Sequence, residues 1–175
     1  IQHPVTMASH HKKRRLKPIS VQRVLQALEP EYGPVEWKPR YDPVSELVFT
    51  ILSQHTSDAN SEKAYRNLVR AFGSWEEVAQ AFPEDIAPHI WVGGLSNIKA
   101  ARIQAVLQRI MELIGSLDLN FLAELPLKEA TAWLKRLPGI GPKSAAVVLC
   151  FSLGMPAFPV DTHIYRVLRR LGLIH

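Results

Sequence analysis

Cysteine is nearly absent: the 175-residue chain has one, Cys150. A lone thiol forms no internal disulfide, which excludes a disulfide-built miniprotein and fits a reducing cytosol. Long apolar runs are lacking too. The longest, Ala145 to Phe151, has seven residues, whereas a helical membrane span needs roughly 20. The His- and Lys-rich N-terminus has no apolar stretch of signal-peptide length, so secretion is not expected. No segment alternates apolar and polar residues as a half-buried strand does, and no repeat is present. Acids are scarce at both ends. Residues 1–28 hold six Lys or Arg and no acid, and residues 135–175 hold six and one acid, Asp161. The middle, 29–134, holds nine basic and fifteen acidic residues. Two basic ends around an acidic centre suggest a polyanion partner, with solvated basic surfaces as the plain alternative.

What is present is helical periodicity. Val21, Val24, Leu25 and Leu28 form one apolar stripe, and Pro43 opens a helix carrying Leu47, Val48, Ile51 and Leu52. Asp58 can cap a third helix that stops at Gly73, and Ser74-Trp75-Glu76-Glu77 is a capping box for a fourth. A short helix is expected over 83–91, and a long one from a Ser96 cap to Gly115. Three more are expected over 127–137, 143–153 and 162–171. The fold class is therefore all-α, with residues 1–18 as a basic flexible leader. The three histidines of that leader, His3, His10 and His11, have no fixed spacing and suggest a solvated tail, with no metal site.

The most informative stretch is Leu137-Pro138-Gly139-Ile140-Gly141-Pro142-Lys143-Ser144. Two helices meet there across a pair of glycines. Gly139 and Gly141 allow positive φ and close approach, and the following helix N-terminus offers N–H groups to a phosphate. Ile140 can plug the hairpin between its helices. A plain helix-turn-helix corner is the alternative. Lys143 lies in a first helical turn, where the helix dipole, and burial as well, should lower its amine pKa toward a nucleophilic neutral form. An ordinary surface lysine is the competing reading. Asp161 precedes the last helix, where an N-cap is the usual role. The intervening helix and a return loop could also bring it back near Lys143, giving the carboxylate and amine that acid–base and nucleophilic chemistry uses.

Four segments carry a resemblance: Leu52-Ser53-Gln54-His55-Thr56-Ser57-Asp58, Gly94-Leu95-Ser96-Asn97-Ile98-Lys99-Ala100, the hairpin through Ala145, and Val160-Asp161-Thr162-His163-Ile164-Tyr165-Arg166-Val167. In order and spacing they resemble the endonuclease III branch of the helix-hairpin-helix DNA glycosylases, over roughly residues 43–172. The resemblance implies a six-helix subdomain at 43–154, with the helix-hairpin-helix at 127–153. It implies a second subdomain from 19–42 and 155–175, with double-stranded DNA held in the cleft between the two. It also implies base-excision repair of damaged DNA, typically at oxidised pyrimidines. In such enzymes the lysine at the Lys143 position attacks C1′, and the Schiff base then nicks the strand by β-elimination. The aspartate at the Asp161 position assists it. Gln54, His55 and Leu95 match the positions whose side chains fill the gap left by a flipped nucleotide. Gly139, Ile140 and Gly141 match the phosphate-binding hairpin, where a monovalent cation can sit.

Two departures matter. The family often has Gln where His55 falls. It also usually continues past the aspartate to four cysteines that hold a 4Fe-4S cluster, and these are absent here. The chain is expected to be either a shortened, divergent member or, the favoured reading, a fragment whose second subdomain is incomplete. Monomeric binding to DNA containing a damaged base or abasic site is expected, since one hairpin reads one phosphate stretch. A monofunctional or mismatch-directed glycosylase, a non-catalytic hairpin module and a helical interaction domain are the alternatives.

Overall fold

The computed structural model describes residues 19–34 and 36–174; the basic leader at 1–18 lies outside the described residues. Those residues contain nine α-helices, two 3-10 turns and no strand. The helices are α1 (Val21–Tyr32), α2 (Pro43–Leu52), α3 (Asp58–Phe72), α4 (Trp75–Gln80), α5 (Pro83–Ile90), α6 (Ser96–Ile114), α7 (Leu127–Leu134), α8 (Pro142–Phe151) and α9 (Thr162–Arg170). The 3-10 turns are Trp91–Gly93 and Asn120–Glu124. No helix among the described residues is long and apolar enough to cross a membrane.

Local chemistry explains most of these boundaries. Asp42 accepts hydrogen bonds from the N–H groups of Val44 and Ser45, and Pro43 occupies the first turn of α2. Ser74 caps α4 through the Glu77 N–H, as its capping-box sequence requires. Several expected ends shift by one to three residues. Ser57 caps α3, and Asp58 is its first helical residue. Leu95 stands at the cap of α6 in a left-handed conformation, and Ser96 is already helical. The helix before the hairpin stops at Leu134, because turns with Lys135, Arg136 and Leu137 donating to Thr131, Trp133 and Leu134 carry the chain onward.

Two compact units result. Glu36–Val160 form one; the described residues before Glu36 and from Asp161 onward form the other. The larger unit begins before residue 43, extends past 154 and contains α2 to α8. Its centre is α2, every residue of which is buried. Helices α3, α6 and α8 pack on it, and α4 and α5 pack on α6. Burying Leu47, Ile51, Leu52, Leu68, Ile103, Leu107 and Leu134 supplies the dominant stabilisation, at about 25 cal/mol per Å² of apolar surface. In the smaller unit, α1 and α9 have no fully buried residue.

The earlier start of the larger unit has a clear cause. The last turn of α8 leaves carbonyls without helical partners. Trp37 Nε1–H donates to the Cys150 carbonyl at 2.8 Å, and the Arg40 N–H donates to that of Phe151 at 3.2 Å. Gly154, at φ 63°, lies against the Trp37 ring, where a Cβ would come within 3.2 Å. Arg40 then reaches Glu46, which is fully buried on α2. Its Nε donates to Oε2 at 3.0 Å and its Nη2 pairs with Oε1, while the guanidinium lies 4.6 Å from the Phe49 ring centroid.

Only Glu46 is buried, Arg40 being 45% exposed, so removing Arg40 strands a buried carboxylate. Arg40→Met should therefore lower unfolding stability by roughly 3 kcal/mol in denaturant titration. The double variant Arg40→Met/Glu46→Met should recover part of that loss. A double variant less stable than Arg40→Met would show that the carboxylate has other partners.

Candidate functional site

The larger unit brings three of the four motif segments together around the N-terminal half of α6. Lys99 organises two of them. Its side chain is 2% exposed, and its ammonium donates to the carbonyls of Leu52 at 2.7 Å and Gly93 at 2.8 Å. Leu52 is the last residue of α2 and Gly93 closes the 3-10 turn, so Lys99 ties together the loops that follow them. Burial pushes the Lys99 amine below the ordinary lysine range. The carbonyl at the C-terminal end of α2 offers a cation partial negative charge in return.

Directly beyond these tied points lie the described residues other than glycine that have positive φ. They are His55 (φ 53°) and Leu95 (φ 51°), both among the expected gap fillers. Histidine tolerates the left-handed region better than most residues, whereas leucine rarely adopts it. Strain of this kind costs on the order of 1–3 kcal/mol per residue and persists only where the surroundings enforce it. Both side chains are exposed, and Leu95 shows 54% of its surface to solvent. Packing within the described residues does not explain a large apolar side chain held outward on a strained backbone. Gln54 is half-buried, and its Oε1 accepts from Arg102 Nη1 at 2.7 Å.

The hairpin is the third segment. Gly139 has φ 73°, a conformation that favours glycine, and a Cβ there would also stand 2.9 Å from Arg102 Nε. Gly141 differs from expectation. Its backbone is extended and the space beside it is open, so neither conformation nor crowding demands glycine at that position. As the N-cap of α8 it has no side chain to satisfy the first-turn N–H groups, which leaves them available to an anion. Ile140 is 5% exposed within the hydrophobic core, and its N–H donates to the Leu137 carbonyl at 3.2 Å. It therefore braces the hairpin as expected, but its own N–H is committed to the turn.

Lys143 lies in the first turn of α8, one turn from Gly139 along the chain, and is exposed. The burial expected of it is therefore not found. Asp161 belongs to the other unit and caps α9, its Oδ1 accepting from the N–H groups of His163 at 2.9 Å and Ile164 at 2.8 Å. Arg166, Arg169 and Arg170 are exposed on the same helix.

Lys99 and Arg102 were not among the residues picked from sequence. Lys99 stands inside a motif segment, but lysine is so seldom buried that spacing alone does not reveal it. The residues present do not fit a 4Fe-4S cluster. Cluster ligation takes about four thiolates, and the single thiol, Cys150, lies half-buried near the end of α8.

Residues 48–175 match the model of the HhH-GPD superfamily base excision DNA repair proteins, and the chain belongs to that superfamily. Among its relatives is endonuclease III of Thermotoga maritima, 37% identical over 133 residues, which are 76% of this chain and 58% of the relative. A solved non-covalent endonuclease III–DNA complex superposes with a TM-score of 0.72 at 26% identity, covering 89% of this chain and 69% of that one. A trapped endonuclease III–DNA covalent intermediate gives 0.72 at 25% identity, covering 90% and 71%. The chain spans 44–58% of the length of the first curated relatives it matches.

If Lys99 ties the two loops, its neutral isostere leaves two buried carbonyls unsatisfied. Lys99→Met should cost on the order of 3 kcal/mol in denaturant unfolding and speed amide exchange at 53–55 and 93–95 above the rest of the chain. An unchanged midpoint and unchanged exchange would show that the loops hold themselves.

Proposed function

We propose that this chain is the catalytic part of a DNA glycosylase and abasic-site lyase that acts on duplex DNA carrying a damaged base. The observation that carries the reading is an exposed lysine in the first turn of the helix that leaves the hairpin, whose N-terminus has no side-chain cap. In the same unit, two strained side chains, His55 and Leu95, face solvent.

The chemistry follows from what these groups offer. First-turn N–H groups of α8, with the backbone at Gly139 and Gly141, take a phosphate oxygen. Leu95, with Gln54 and His55, enters the duplex and offsets the few kcal/mol that flipping a nucleotide costs. Lys143 Nζ, once it has lost a proton, attacks C1′, and the C1′–N bond breaks as the base leaves with its electron pair and a proton. The amine retains the sugar through C1′ and, as the ring opens, forms an iminium. Loss of a C2′ proton expels the 3′ phosphate, and water then releases the lysine. The Asp161 carboxylate is the group to stabilise cationic character on the sugar and take the amine proton. That role rests on the family resemblance together with the carboxylate's place at the head of α9.

An oxidised pyrimidine is the substrate class this reading favours, and the protein would act as a monomer where cellular DNA is held. Arg166, Arg169 and Arg170 would add salt-sensitive affinity for the backbone. A monovalent cation on hairpin carbonyls is compatible with the fold, since the Leu137 carbonyl has one lone pair beyond its bond to Ile140.

Borohydride trapping on a duplex with one abasic site tests the proposal. The expected result is a covalent adduct that Lys143→Ala abolishes and Asp161→Asn slows by roughly a hundredfold or more, the order of an acid–base contribution. Base release without adduct or strand break would identify a monofunctional enzyme. Binding without either reaction would identify a non-catalytic hairpin module.

A further inference from the structure

Arg102 takes no part in the chemistry proposed for Lys143 and Asp161. It follows Lys99 by one turn on the same face of α6, where residues three apart stand one above the other. One end of its guanidinium, Nη1, donates to Gln54 Oε1 at 2.7 Å. The other, at Nε and Cδ, occupies the space that a Cβ on Gly139 would enter, at 2.9 and 3.1 Å. A planar, rigid fork thus lies between the Gln54 loop and the hairpin. Gly139 is required twice, by its φ and by this guanidinium.

From this placement we infer that Arg102 is a positioning residue that sets how Gln54 meets nucleic acid; the inference rests on the DNA reading proposed above. A glutamine amide has a donor end and an acceptor end. An arginine, which can only donate, selects the acceptor end of Gln54 and turns its NH2 group away. Gln54 therefore presents two N–H donors, in fixed register with the hairpin, to acceptor atoms exposed where a nucleotide has left the stack. In an intact duplex those atoms are engaged in base pairing, so the pair contributes to discrimination and little to general affinity.

The test is a double-mutant cycle on the whole chain. Dissociation constants are measured for a duplex containing one tetrahydrofuran abasic site and for the same duplex intact. The expected ratio of the two falls about tenfold in Arg102→Ala and in Gln54→Ala, the order of a charge-assisted hydrogen bond, and no further in the double variant. Gln54→Glu, which keeps a partner for Arg102 but presents no donor, should lose the preference while keeping wild-type stability. If Arg102 touched phosphate directly, both constants would weaken together in either background and the ratio would hold, overturning the inference. So would additive losses in the double variant. Should Arg102→Ala fail to fold, Arg102→Lys keeps the charge and most of the bulk without the planar fork and serves for the same cycle. A wild-type chain with no abasic preference would overturn the DNA reading and this inference with it. That outcome is distinct from a wild-type preference that survives substitution of Arg102.

Discussion

A buried ammonium with two backbone carbonyls is the contact on which the candidate site depends. Lys99 enters the core from the first turn of α6 and gathers the ends of two segments that are far apart in sequence, Leu52 and Gly93. Desolvating a lysine is costly, so the arrangement holds only because the carbonyls are at hand and one of them closes α2. Its consequence lies one step further along each chain. His55 and Leu95 are held in left-handed backbone conformations that neither would choose alone. Strain in the two loops and stability in the core are thus two ends of one structure.

Much of this architecture was legible in the residues. Proline at the start and glycine at the end bounded several helices correctly, as at Pro43 and Gly73, and the Ser74 capping box formed as written. The helix-hairpin-helix and its family were readable because glycines, proline and lysine stand at fixed offsets. Other features were not. Ser96 has a good capping side chain, yet Leu95 takes the cap in a left-handed conformation and Ser96 is already helical. The early start of the larger unit depends on Trp37 and Arg40 reaching carbonyls more than a hundred residues away, a contact no local pattern encodes. Gly141 looked like a conformational necessity and is not one, whereas Gly139 is. Arg102 was invisible because its partners, Gln54 and Gly139, are joined only by the fold.

The functional assignment divides along the two compact units. The larger one carries the hairpin, the strained loops and Lys143, and so carries nucleic-acid contact and the nucleophile as proposed. The smaller one carries Asp161 and the basic face of α9. Membership in the superfamily of base excision repair proteins places both sets of residues within one matched stretch, 48–175. The 4Fe-4S cluster implied by the resemblance finds no ligand set in this chain, and no step of the proposed chemistry passes through one.

The central claim is that the loops after α2 and before α6, together with the hairpin, form one preassembled surface for damaged DNA. Deuterium exchange of the chain, free and bound to a duplex with a single abasic site, tests it most directly. Slowed exchange concentrated at residues 53–57, 93–97 and 137–144 is the predicted result. Binding that instead slows exchange on α3 and α4, or leaves those three segments unchanged, would contradict it.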